Sequence, residues 1–292
     1  MKKATLSFAL IMLALISFGQ KLPVKMEEMT ALEFKDAIVK SSATAIIPIG
    51  VLEKHGTHLP LGTDLLDARQ VVLKATEKEY AIVFPEYIFS QINEAKHQPG
   101  TIAYSEKVIW DVLQETCDEL GRNGVKKIVL VNGHGGNSNF LPFFCNCQLE
   151  SRKNYAVILF QPRQQKPTPE MQKLIIPGQS SHAGQTETSM ILSHRPDLVH
   201  MDLVGQQSPK DLKRISDVEQ AMTGIWWYAR YPNHYAADAT GASKELGEML
   251  INQEADQLVE MLKQVKANQS ILKLQDEFYN ESENPLNTKQ GF

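Results

Sequence analysis

Cysteine is scarce: Cys117, Cys145 and Cys147 are the whole supply in 292 residues. An odd number allows at most one intramolecular disulfide, and Cys145 and Cys147 are too close to bridge within a helix. A disulfide scaffold is therefore excluded, and the three thiols read as small buried apolar residues. Pro/Gly/Ser-rich linkers and charge runs are also lacking, as is any internal repeat, so one large domain is expected rather than tethered modules. Nor is there a basic surplus. Thirty Lys and Arg against 34 Asp and Glu give a net charge of −4, which offers nucleic acid no bulk attraction.

Only one apolar run is long, Ala4 to Phe18 in MKKATLSFALIMLALISFGQ. It follows Lys2 and Lys3, is too short for a comfortable membrane span, and ends with Ser17 and Gly19 at the −3 and −1 positions of a cleavage site. This is the pattern of a secretory signal over residues 1–19, cut near Gly19/Gln20. No cysteine follows it, which argues against a lipid anchor. The expected mature protein is exported, periplasmic or secreted, without a stable membrane anchor, and carries a charge of about −6 by the same counting.

Beyond residue 40, apolar runs alternate with amphipathic segments, which predicts an α/β fold: a single domain over 25–270 with a mostly parallel central sheet flanked by helices. Strands are expected at 43–49, 81–84, 127–131 and 155–160. Helices are expected at 65–80, 105–122, 137–152, 187–194 and 243–266, with residues 271–292 left as a polar C-terminal tail. The chemically rich segments mostly follow predicted strands, and in open α/β sheets sites form beyond the strands' carboxyl ends.

The first such segment is IPIGVLEKHGTHLPLGTD, residues 47–64. Glu53 and His55 are one residue apart, so in extended chain both project to the same side; His58 and Asp64 follow across a turn. Carboxylate oxygen with imidazole nitrogen suits zinc, manganese or ferrous iron. Taken singly, Asp64 reads better as a helix cap, Glu53 as a surface charge and the histidines as loop residues; four such residues together at a strand end favour a metal site. In VNGHGGNSNF, residues 131–140, the glycines match neither a dinucleotide fingerprint nor a P-loop, which leaves His134 as the functional group. In SHAGQTETSMILSHRP, His182 lies five residues before Glu187, a glutamate that either complements a helix dipole or points at the cluster. Two glutamates, one aspartate and two histidines exceed what one catalytic ion with an open position needs. They suit two ions bridged by a carboxylate and a hydroxide.

EKHGTHLPLGTD, HQPGTIAY (97–104), NGHGGN and HAGQTETS together resemble the signature segments of the creatininase, or creatinine amidohydrolase, family, and YPNHYAADATGASKELGEML resembles its closing motif. The matches run in order from about residue 40 to 265. The resemblance implies a homo-oligomer, hexameric by analogy, and a two-metal hydrolase acting on cyclic amides or related C–N bonds. By the same resemblance Glu53, His55, Asp64, His134 and Glu187 fall on metal-ligand positions, with Asp64 bridging, and His182 on the position of a proton shuttle. His58 and His97 match histidines near the pocket. Creatininase itself carries a glutamate ligand where this chain has Gly136, which makes Glu187 the necessary fifth ligand and weakens creatinine as the substrate.

The expected reaction is attack on an amide-type carbon of a small molecule, with His182 protonating the departing nitrogen. Trp226 and Trp227 are read either as an aromatic wall for a planar substrate or as core. Two divalent ions are expected, zinc first and manganese second, because an exported enzyme holds zinc more easily than ferrous iron. Competing readings are a deformylase or peptide-trimming hydrolase of the same family, and an exported metal-binding module without turnover.

Overall fold

Each strand run is followed by a helix that must bury its own apolar stripe, so the strands align in parallel and the helices cover both sheet faces. The computed structural model describes residues 22–163, 166–218 and 221–288; the leader read over 1–19 lies outside the described residues. The chain runs α1 (Ala31–Lys40), β1 (Thr44–Ile49), α2 (Thr63–Lys78), β2 (Ile82–Val83), α3 (Glu106–Arg122), β3 (Lys127–Asn132), α4 (Phe140–Cys147) and β4 (Ala156–Leu159). It continues through α5 (Pro169–Leu174), α6 (Gln185–His194), α7 (Trp226–Arg230), α8 (Lys244–Ala267) and α9 (Ile271–Ser282). Among the described residues no helix is long and apolar enough to cross a membrane.

The four-stranded sheet has the order β2-β1-β3-β4, all parallel. The alternation of each strand divides the core. On one face Ala45, Ile47 and Ile49 of β1 join Ile128 and Leu130 of β3 against α1, α3 and α4, through Ala37, Leu113, Cys117 and Phe144. On the other, Ile46, Val129 and Val131 pack on Val71 and Val72 of α2 and Ile251, Leu258 and Leu262 of α8. Each such side chain contributes roughly 1.5–3 kcal/mol by leaving water. Pro48 is accommodated in β1 because pairing on the β2 side skips it: β2 pairs with Ala45 and Ile46, and the chain bridges β1 again only at Ile49, opposite Tyr87.

This strand order places a topological switch between β1 and β3: the chain leaves β1 toward β2 on one side, then returns to β3 on the other. A crevice opens there beyond the carboxyl ends. Two glycines let α2 enter it. A Cβ on Gly50 would lie 2.4 Å from the backbone nitrogen of Leu65, and one on Gly133 would lie 2.3 Å from the carbonyl oxygen of Asp64. The first turn of α2 is thus pressed between the ends of β1 and β3, with Asp64 in it.

Three expectations change. The helix expected over 137–152 is only α4, flanked by 3-10 turns at Gly135–Ser138 and Gln148–Glu150. Asn137 holds that entry by donating from Nδ2 to Asn132 Oδ1 at 3.0 Å and accepting from the Gln91 backbone at 3.3 Å. The stretch read as a polar tail, 271–292, contains α9, whose buried Tyr279 donates its hydroxyl to the Gln148 carbonyl at 2.7 Å. Finally, α1 was not expected; it starts on a capping box in which Thr30 and Glu33 bond each other's backbone N–H.

Candidate functional site

The segment after β1 is extended without being a strand, and residues two apart still share a side: Glu53 and His55 both point into the crevice and are fully buried. Asp64 and His134 are 4% and 5% exposed. Four ionisable groups removed from water in this way cost several kcal/mol each unless opposite charge offsets them. Their arrangement supplies that offset.

Asp64 is the hinge of the cluster. Its Oδ1 lies 3.0 Å from His55 Nε2 and its Oδ2 2.9 Å from His134 Nδ1. Glu53 Oε1 is 2.8 Å from the same His134 nitrogen. His55 donates from Nδ1 to the Glu53 carbonyl at 3.3 Å, which leaves Nε2 facing Asp64 and, at 3.7 Å, Glu187 Oε2. Glu187 sits in the first turn of α6, held by the Ala183 N–H at 2.6 Å, with a third of its side-chain surface open to solvent. Ligand atoms of Glu53, Asp64 and His134 lie within 4.8 Å of one another, and so do those of His55, His182 and Glu187.

Proton affinities follow this geometry. Burial disfavours charge on His55, but Asp64, Glu53 and Glu187 push it up to about 10. His134 is raised well above the usual imidazole range against the same burial, by Glu53 and Asp64. Burial would raise Glu53, yet the His134 and His182 rings and the bonds from His134 and His234 hold it well below the carboxylate range. Glu187 rises to about 7, through burial first and the nearby Asp64 and Glu53 carboxylates, against the pull of His55. The carboxylates thus demand positive charge between them, and protons on His55 and His134 meet that demand. Glu53 Oε1, Asp64 Oδ2 and His134 Nε2 are buried without a well-directed hydrogen bond. Oxygen and imidazole donors converging on a charge deficit fit divalent cations, whose binding displaces such protons.

His182 joins the cluster from the loop before α6. Its Nε2 donates to the Lys54 carbonyl at 2.9 Å, and its ring lies 4.2 Å from that of His55. Burial, and then His55, hold it well below the usual imidazole range. Lys54 turns its own side chain away, to Gln207 Oε1 at 2.8 Å.

The remaining candidates are placed differently. His58 is buried outside the cluster, with Nε2 2.8 Å from the Thr188 hydroxyl. His97 is exposed and donates to the Pro232 carbonyl at 2.7 Å, so it grips the 231–234 loop. Trp227 meets His182 edge-on at 5.7 Å and lines the site. Trp226 is 38% exposed and packs on Trp227, so neither tryptophan belongs to the main core.

Sequence reasoning missed His234 and Glu94. His234 is 1% exposed, holds a backbone φ of +54°, and bonds Glu53 Oε2 through Nε2. Glu94 reaches within 3.9 Å of His134 Nε2 and accepts from Gln91 Nε2 at 2.8 Å. A lone histidine and a lone glutamate carry no spacing signal; YPNHYAAD contained His234 without singling it out, and Glu94 lies just before HQPGTIAY, in the 3-10 turn Asn93–Ala95.

Comparison with known proteins places the chain in a family. The family model described as "Creatininase: Creatinine amidohydrolase" matches residues 27–262. The creatinine amidohydrolase of Pseudomonas putida is 28% identical over 242 residues, 77% of this chain and 90% of the relative. The mycofactocin precursor peptide peptidase of Mycolicibacterium smegmatis is 31% identical over 166 residues, 54% of this chain and 60% of the relative. A crystal structure of creatinine amidohydrolase shares the fold with a TM-score of 0.73 at 23% identity, covering 85% of this chain and all of that one. Structures of creatininase in a manganese form and, for a mutant, a zinc–zinc form superpose at 0.70.

Proposed function

The chain belongs to the creatininase family of metal-dependent amidohydrolases, and from that premise we propose that it cleaves the C–N bond of a cyclic amide or related amide at a centre of two divalent ions. The observation that carries this reading is Asp64, which turns one oxygen to His55 and the other to His134. Glu53, Asp64 and His134 would hold one ion; His55, Asp64 and Glu187 would hold the other. Two such ions, when bound, supply an acidified water for attack and a Lewis-acid contact for the carbonyl oxygen. Zinc is the first choice and manganese the second.

His182 moves the proton. Its Nε2–H is committed to the Lys54 carbonyl, so the neutral ring keeps its lone pair on Nδ1. Its depressed proton affinity keeps that atom vacant near neutral pH, ready to accept a proton and return it to the departing nitrogen. Trp227 packs edge-on against one side of the ring. His182→Ala is expected to lower turnover by about 10²-fold or more with metal content intact; equal turnover would remove His182 from the reaction.

The deciding measurement is metal content per chain on residues 20–292, wild type beside Glu187→Ala. About two ions falling to about one supports Glu187 as a ligand. One ion or none, unchanged by the substitution, removes the two-ion centre and favours a metal-binding module. The peptidase relative makes peptide trimming the second reading, and turnover of linear peptides but not cyclic amides would establish it. Export of the mature chain and a homo-oligomeric state complete the proposal, tested by N-terminal sequencing of the exported protein and by its mass in solution.

A further inference from the structure

The two carboxylate oxygens of Glu53 have different partners. Oε1 faces His134 Nδ1 at 2.8 Å, whereas Oε2 meets His234 Nε2 and lies 3.9 Å from His182 Nε2. Glu53, His182 and His234 therefore form another group with ligand atoms within 4.8 Å. By residue type alone this is a third cation site.

Trp227 decides otherwise. Its indole Nε1–H, which can only donate, points at His234 Nδ1 over 2.8 Å. Nδ1 must then hold the ring's lone pair, and Nε2 carries the hydrogen. A ring nitrogen bearing hydrogen cannot ligate a cation. A ligating Nε2 would move that hydrogen to Nδ1, directly against the indole N–H. The backbone reinforces the arrangement: Gly56 N–H donates to the His234 carbonyl at 3.3 Å, and Ala236 N–H to the His182 carbonyl at 3.1 Å. The loop carrying His234 is thereby tied to the loops carrying Glu53 and His182.

We propose that Trp227 and His234 are a positioning pair: the indole fixes His234 as an N–H donor to Glu53 Oε2, which bars the third group from binding an ion and leaves Glu53 to hold its own ion through Oε1 alone. This rests on the metal-centre reading above. Partners that orient a ligand's second atom in this way govern metal affinity about 10–100-fold.

The test measures cation stoichiometry and affinity of the full chain by chelator competition, together with the visible spectrum of the cobalt-loaded protein. His234→Ala removes the donor. His234→Gln keeps one near the position of Nε2, and both variants carry a Cβ on the same positive-φ backbone, so strain is common to them. Trp227→Phe keeps a smaller aromatic ring and deletes the indole N–H. The expected result is two ions in wild type, one of them held about 10-fold or more weakly in His234→Ala with an altered cobalt spectrum, and recovery in His234→Gln. Trp227→Phe is expected to show the same loss or to take up a third equivalent. Three ions in wild type, or unchanged affinity in both His234→Ala and Trp227→Phe, overturns the inference. Fewer than two ions in wild type sinks the two-ion reading instead, and the affinity of whatever ion remains still reports on the pair. Should His234→Ala fail to fold, Trp227→Phe carries the test.

Discussion

At the scale of single residues, the space around His134 is set by an absence of side chain. A Cβ on Gly136 would lie 2.4 Å from His134 Nε2 and 2.6 Å from Glu94 Oε1, whereas one on Gly135 would meet nothing within 4 Å. Gly136→Ala must therefore displace His134 or Glu94. It is expected to weaken cation retention about 10-fold, while Gly135→Ala leaves it unchanged; equal zinc release from both variants would contradict this. Six side chains grouped from the sequence, Glu53, His55, Asp64, His134, His182 and Glu187, do converge. They were legible because their residue types crowd beyond strand ends and at one helix start, where the topology of parallel sheets already gathers them. His234 and Glu94 were not. Each is isolated among loop residues, and only the folded path of the chain gives it a partner.

Among the elements, β3 and α8 are joined by an unusual cap. Lys127 opens β3 buried, and its Nζ donates to the carbonyls of Val265, Lys266 and Asn268 at 2.7, 3.0 and 3.0 Å. These are the carbonyls a helix end leaves without partners, and a cation there also meets the negative end of the helix dipole. Lys127→Met keeps the apolar stem and removes the donors. It should cost about 2 kcal/mol or more, seen as a lower urea midpoint at constant slope; an unchanged midpoint would mean that water replaces the ammonium at no cost. The period of α8 was readable over 243–266 because it has twenty-four residues, Lys244–Ala267, and a Ser243 cap that accepts from the Leu246 N–H at 3.2 Å. By contrast α9 hides in polar sequence, since Tyr279 is its one fully buried side chain and its contact with Gln148 lies far away in the chain.

For the molecule as a whole, two histidines outside the cluster, His58 buried and His194 half-buried, each make a contribution to the response to acid. His58 and His194 are each lowered to about 4, by burial first; His55 adds to the shift in His58, and Arg195 to that in His194. His194 lies 2.7 Å from Asp67 and so links α6 to α2. The unfolded chain binds protons at these residues near 6.5, while the folded chain does not until about 4. The contribution of these two residues is therefore fully present above pH 6.5 and is lost as the pH drops toward 4, while the raised carboxyls of Asp67 and Glu187 act in the opposite sense. Across that window the melting temperature of chelator-treated His58→Gln should rise relative to that of wild type as the pH is lowered; a difference that stays constant with pH would clear His58 of the effect. The sheet that frames all this carries a consequence of another kind. Gly50 and Gly133 press bare main chain against the turn that holds Asp64, so the centre of the site tolerates no change at two positions that bring no side chain to it. Diversification of this scaffold is thereby channelled outward: exposed loop positions around Trp227, such as Ile225 and Trp226, can vary and retune what is cleaved, while the strand ends and the side chains that touch the cluster stay frozen.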